Sequence, residues 1–184
     1  MLTKYSENSS LRRVQTIADY QFGGLVGTGL FPEGCEFIFS TTGRIRQILY
    51  GGIRLATVRA FDGRLTLGIE GAKRLQLYLP APGYRAIVKD DVAEFIAQGK
   101  NAFAKHVIFA DPTIRAGDDV MVVTGDDRLI ACGAAVVSGA EMLAFNYGVA
   151  VRVRQGSEKD ASGKYKPTPD EGDDEEARHE CRAD

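Results

Sequence analysis

Residues 84–155, YRAIVKDDVAEFIAQGKNAFAKHVIFADPTIRAGDDVMVVTGDDRLIACGAAVVSGAEMLAFNYGVAVRVRQ, decide the fold. The stretch opens with a strand, Tyr84–Val88, followed by Asp90 and Asp91. Asp91 and Glu94 have the capping-box spacing, Val92, Phe95 and Ile96 form one helical face, and Gly99 ends the helix. Strands follow at His106–Phe109, Asp119–Thr124, Leu129–Val136 and Val149–Arg154. A second capping box, Ser138 with Glu141, opens a short helix that stops at Gly148. The order βαβββαβ, with short connections, predicts a small closed or half-closed barrel.

Upstream, Pro80-Ala-Pro-Gly83 marks a boundary. Before it, Ser9 and Ser10 can cap a helix whose apolar positions Leu11, Val14, Ile17 and Ala18 recur at three and four. Gly23 and Gly24 stop that helix, and the glycine-dense stretch to Gly34 reads as a loop. Runs of β-formers at Phe37–Ser40, Arg46–Tyr50, Ile53–Val58 and Leu65–Ile69 are separated by turn signals at Thr42-Gly43, Gly51-Gly52 and Asp62-Gly63. The fold class is therefore α+β. A helix on an antiparallel sheet (residues 9–79) precedes the β-rich barrel (residues 84–155). From Gly156 the chain has almost no large aliphatic side chains and much charge, so residues 156–184 read as a disordered acidic tail.

Size and charge narrow the function. At 184 residues the chain is too short for an (α/β)₈ barrel, which needs roughly 250. Cys35, Cys132 and Cys181 form no CxxC pair, which argues against a disulfide framework and a zinc cluster. No apolar stretch approaches a membrane span, and the N-terminus lacks a signal peptide's apolar core, so the chain reads as cytoplasmic. The net charge of −2 is uneven. Residues 1–83 carry ten cationic and six anionic side chains, residues 84–155 eight and nine, and residues 156–184 five and ten. The arginine excess of the first part suggests an anionic partner.

No catalytic constellation is found. Gly27-x-Gly29 fails as a dinucleotide loop, since the third glycine would fall at Pro32 and a helix precedes it. Gly99-Lys100 is no phosphate loop, with Glu94 at the upstream glycine position and Asn101 for the hydroxyl residue. His106 and His179 are the two histidines, the second in the tail, so no metal site and no nucleophile–base pair is assigned. Asp118-Asp119 and Asp126-Asp127 read as turn residues. No cofactor is called for.

Cations remain. Arg44 and Arg46 share one side of a strand, as do Arg152 and Arg154, while Lys100 and Lys105 flank Phe103 beside Gly99. Composition admits two readings, solvated strand faces or a nucleic-acid face with phosphate contacts and a stacking aromatic. Phe103 likewise reads as core or as a stacking platform.

Gly99-Lys-Asn-Ala-Phe-Ala-Lys105-His-Val, Asp111-Pro-Thr-Ile-Arg115-Ala-Gly-Asp-Asp-Val120, Ala131-Cys-Gly133, Glu141-Met and Gly148-Val-Ala-Val-Arg152-Val-Arg154 occur in an order that resembles the PUA domain, an RNA-binding module. Leu11-Arg-Arg-Val, Ala18-Asp-Tyr-Gln-Phe-Gly23, Ser40-Thr-Thr-Gly-Arg44-Ile-Arg46 and Arg59-Ala-Phe-Asp-Gly63-Arg-Leu-Thr-Leu resemble the domain that precedes PUA in archaeal tRNA-guanine (archaeosine) transglycosylases. The resemblance implies a PUA pseudobarrel that grips RNA through its first helix, the loop after it, the next strand and the last strand. Carried onto this chain, that face holds Gly99, Lys100, Asn101, Phe103, Lys105, His106, Arg152 and Arg154, to which the exposed-strand reading adds Arg44 and Arg46. The transglycosylase barrel and its zinc site have no counterpart in the sequence. The resemblance therefore implies a non-catalytic RNA-binding protein, with tRNA as the RNA and a separate transglycosylase catalytic subunit as a candidate partner. The alternative is an adaptor for an RNA-modification or ribosome-assembly factor.

Overall fold

The computed structural model describes residues 2–158. Its N-terminal half holds α1 (Leu2–Phe22), α2 (Gly27–Leu30), β1 (Glu36–Phe39), β2 (Ile45–Tyr50), β3 (Ile53–Val58), β4 (Leu65–Leu67) and α3 (Ile69–Tyr78). The four strands form one antiparallel sheet in chain order. Val14, Ala18 and Phe22 of α1 are buried on it, the predicted stripe extended by one turn.

The C-terminal half holds β5 (Arg85–Val88), α4 (Ala93–Ala97), β6 (Ala102–Phe103), β7 (Val107–Ala110), β8 (Asp119–Val123), β9 (Leu129–Ala135), α5 (Gly139–Ala144) and β10 (Val149–Gly156). The sheet order is β6-β10-β9-β8-β5-β7, antiparallel except for the parallel pair β5–β8. It curls into a nearly closed β pseudobarrel, so the α+β reading holds. The Ser138–Glu141 capping box forms as the spacing predicts.

Six local expectations are corrected. Ser9 and Ser10 lie inside α1, where upstream helical residues already supply the i−4 carbonyls, so neither caps it. The loop to Gly34 contains α2, seated where a Cβ on Gly27 would come within 2.3 Å of the Gln15 carbonyl oxygen. The strand from Leu65 ends at Leu67, and Ile69 begins α3, whose Ile69, Ala72 and Leu75 pack into the core. Asp91 and Glu94 make no capping box. A single 3₁₀ turn over Asp90–Val92 feeds α4, which buries Ala93, Ile96 and Ala97 and leaves Phe95 exposed. His106 closes another 3₁₀ turn, Ala104–His106, rather than starting β7. Of the segment read as a tail, Gly156 closes β10 and residues 159–184 lie outside the described residues.

The halves share a core. Every residue of β8 is buried. Met121 and Val123 point into the cluster built on α1 and the first sheet, and Val120 and Val122 into the pseudobarrel core. Polar groups stitch the same seam. The Asp119 carboxylate accepts from the Leu67 N–H at 2.6 Å, the Tyr84 hydroxyl donates to the Gln21 carbonyl at 2.5 Å, and the Gln155 side chain accepts from the Ile69 N–H at 3.2 Å. Buried Arg85 donates to Asp127 at 2.8 Å and to the carbonyls of Gln76, Leu79 and Gly83. Among the described residues no helix is long and apolar enough to cross a membrane.

Candidate nucleic-acid interface

The segment after α4 lies along β10. Gly99 ends α4 at φ +93°, a left-handed conformation that favours glycine, and its N–H donates to the Ile96 carbonyl. β6 then pairs with β10, placing Phe103 opposite Val149 and Ala102 opposite Val151. The Ala104 N–H donates to the Gly148 carbonyl at 3.0 Å, and the Asn101 side chain accepts from the Val153 N–H at 3.0 Å. Asn101 is thus a clamp that fastens this loop to the last strand.

These bonds gather most of the sequence-derived candidates. Lys100, Lys105 and Arg152 are exposed, and Phe103, at 43% exposed, is not part of the core. His106 is half-buried, and its carbonyl accepts from the Lys89 N–H. Arg152 sits opposite Ala134 in the β9–β10 ladder, while Arg154 falls at a register shift between Val153 and Gln155. Its guanidinium donates to Asp119 at 2.6 Å. Arg44 and Arg46 are exposed on either side of buried Ile45, but on the four-stranded sheet, outside the loop–β10 ladder.

Two features escaped the sequence reading. Phe145 and Tyr147 form an exposed stacked pair, centroids 6.5 Å apart, immediately before the Gly148 that bonds to the loop. An aromatic pair flanking a turn before a basic strand was the available signal. The second is the fate of Asp118 and Asp119, which are buried rather than placed in a solvated turn. Asp118 pairs with Arg64 and also accepts from the Arg115 N–H at 2.9 Å. Burial pushes the Asp119 carboxyl above its ordinary range, against the pull of Arg154. Asp126 and Asp127 do lie in the β8–β9 turn. Among the described residues no three His, Cys, Asp or Glu side chains converge on a metal position.

Residues 84–156 match the PUA domain, and residues 12–82 match the patch-forming domain C2 of tRNA-guanine transglycosylase. The two matches set a region similar to the C2 domain directly in front of one similar to the PUA domain. It is 48% identical over 155 residues to the tRNA-guanine(15) transglycosylase of Pyrococcus abyssi, covering 84% of this chain and 26% of that enzyme. The Pyrococcus furiosus enzyme is 46% identical over 158 residues, covering 86% and 27%. The chain thus spans about a quarter of the length of these curated relatives. A hypothetical protein of Pyrococcus horikoshii shares the fold with a TM-score of 0.65 at 21% identity, over 82% of this chain and 91% of that one. A conserved PUA domain protein of Thermoplasma acidophilum does so with a TM-score of 0.58 at 19% identity, over 84% and 92%.

Proposed function

We propose that this protein binds RNA, with tRNA as its natural ligand, through the loop–β10 face, and that it holds the RNA for a modification reaction carried out by a separate transglycosylase catalytic subunit. One observation carries the reading. Residues 101–104 are fastened along β10, and Lys100, Phe103, Lys105 and Arg152 of this loop and strand are exposed, which supports two kinds of group that RNA recognition needs, cations for phosphates and an aromatic for a base. The tRNA-guanine(15) transglycosylase relatives support tRNA as the ligand class.

The test is tRNA affinity as a function of salt. Arg152→Ala combined with Lys105→Ala weakens binding similarly across tRNA sequences and flattens the plot of log affinity against log salt by roughly 0.7–0.9 for each phosphate interaction removed. Arg128→Ala, in the β8–β9 turn, is the control. Unchanged binding in the double variant sinks the assigned face, and equal losses in the control reduce it to diffuse charge. The adaptor reading is favoured by Ile38, Phe39, Tyr50 and Ile53, large apolar side chains exposed on the four-stranded sheet. Purification free of RNA from cells, with a partner protein retained, selects it.

A further inference from the structure

A cleft of about 720 Å³ opens where α1, the β3–β4 turn and the β7–β8 loop meet, with none of the loop–β10 residues in its lining. Its size falls within the roughly 300–1,000 Å³ of small-ligand sites, which favour such junctions between structural units. Tyr20 forms one wall and is 94% exposed, so its ring is not spent on packing α1. Arg115 and Arg64 reach in from the other two elements, and Thr16 and Thr113 add hydroxyl oxygens that give their protons to the Arg12 carbonyl at 2.9 Å and the Asp111 carboxylate at 2.8 Å and so face a ligand as acceptors.

The lining charges, Arg64 and Arg115 against Asp62 and Asp118, balance in number and differ in how far they are engaged. Both lining carboxylates are already engaged, Asp62 with Arg59 at 2.9 Å and Asp118 with Arg64 and the Arg115 N–H. No ion pair or hydrogen bond holds the exposed Arg115 guanidinium among the described residues. The Arg64 side chain remains 37% exposed beyond its contact with Asp118.

A second observation concerns the floor. Tyr84 sits at φ +54°, which is strained for an aromatic residue, and it is fixed there by its N–H on Asp111 at 2.8 Å and its hydroxyl on the Gln21 carbonyl. Such strain clusters at ligand-holding positions. Beside the cleft, on the same β3–β4 turn, Arg59 lies over the Phe61 ring at 5.1 Å, and its Nε is buried without a hydrogen-bond partner.

A flat, exposed ring with guanidiniums and hydroxyls within one cleft matches the three parts of a nucleotide. We infer that this cleft seats one unstacked nucleotide, its base on Tyr20, its phosphate at Arg115 and Arg64, and its sugar toward the threonines. The nucleotide belongs to a bound RNA strand if the function proposed above holds, and to a free 5′-nucleotide otherwise. The cleft chemistry is the same for both.

The experiment titrates the full chain with a tRNA transcript and, separately, with the four 5′-mononucleotides. The variants are Tyr20→Ala, Tyr20→Phe and Arg115→Ala, with Lys105→Ala/Arg152→Ala reporting on the other face. Tyr20→Ala weakens tRNA binding roughly tenfold as stacking is removed, and Tyr20→Phe does not. Arg115→Ala weakens it and flattens the salt dependence by about 0.7, whereas Tyr20→Ala leaves that slope alone. Circular dichroism checks that these exposed substitutions leave the fold intact. Loss of tRNA binding in the Lys105/Arg152 variant with none in the cleft variants overturns the cleft and leaves the proposed face standing. Loss in the cleft variants alone does the reverse. A wild-type chain that ignores tRNA but binds a mononucleotide, dependent on Tyr20, supports the cleft with a free nucleotide as its ligand. Binding of neither ligand overturns both.

Discussion

Replacing Arg154 with alanine separates folding from binding. Its guanidinium touches Asp119, whose side chain is only 3% exposed, while that of Arg154 is 31% exposed. Removing one partner of a fully enclosed pair costs about 3–5 kcal/mol, because a buried charge is left without compensation. Partial solvent access to Arg154 lowers the expected loss to about 2–3 kcal/mol. At roughly 2–4 °C per kcal/mol for a chain of this size, the melting temperature should fall by about 5–10 °C. The sign with pH follows from Asp119. Burial raises its folded-state pKa above the unfolded value, so the folded state holds the proton more tightly and stability declines as pH rises through that window. Without Arg154 the pKa climbs further, and the deficit of the variant is larger at pH 8 than at pH 5. Urea titrations followed by far-UV circular dichroism at both pH values measure this, and Arg154→Ala/Asp119→Asn should recover most of the loss. Equal midpoints for wild type and Arg154→Ala, or a deficit that does not shrink at low pH, refute the reasoning. Arg152, exposed on the same strand, should show no such effect, which is why it and not Arg154 reports cleanly on RNA.

Two further outcomes follow from the titratable groups. In a Cys181→Ser background the thiols should react slowly with a disulfide reagent at pH 8, because burial pushes Cys132 up to about 12 and Cys35 up to about 11. Two thiols titrated within a minute would contradict that burial. Asp111 is held below the ordinary aspartate range: burial opposes this, but N–H donation from Thr113 and Tyr84 outweighs it. Its contribution is present above the unfolded pKa and lost as pH falls toward the lowered folded value, so Asp111→Asn should reduce stability at pH 7 and flatten the acid limb of an unfolding curve, and an unchanged limb would count against it.

Legibility in the sequence followed the range of the interactions. The Ser138–Glu141 box and the alternation that exposes Arg152 are local, and both could be read directly. α3 was hidden because Gly68 stands at its N-cap without a side chain to accept, and Gly71 interrupts its first turn. α4 misled for the opposite reason, since Asp91 and Glu94 have the right spacing while the backbone between them takes a 3₁₀ path. Lys100, Lys105 and Phe103 are close in sequence and could be grouped without a structure. The partners of Asp118 and Asp119 lie 54 and 35 positions away, so two acidic residues at a strand start looked like a turn. The Tyr20 cleft needs three elements from both halves, and no local pattern announces it.

The shared core fixes the two proposed surfaces, one on the second half and one at the junction of the halves, relative to each other. Met121 and Val123 lie on one face of β8 and Val120 and Val122 on the other, so displacing this strand would expose apolar groups in both clusters at once. At about 25 cal/mol per Å² of apolar surface, that exposure is costly compared with the few kcal/mol of a domain motion. Arg85 adds a directional constraint, since its donors fix the end of α3 and the β8–β9 turn to the first strand of the pseudobarrel. The loop–β10 edge and the Tyr20 cleft are therefore held at a set separation. A ligand that reaches both meets preordered sites and loses little of its binding energy to arranging the protein.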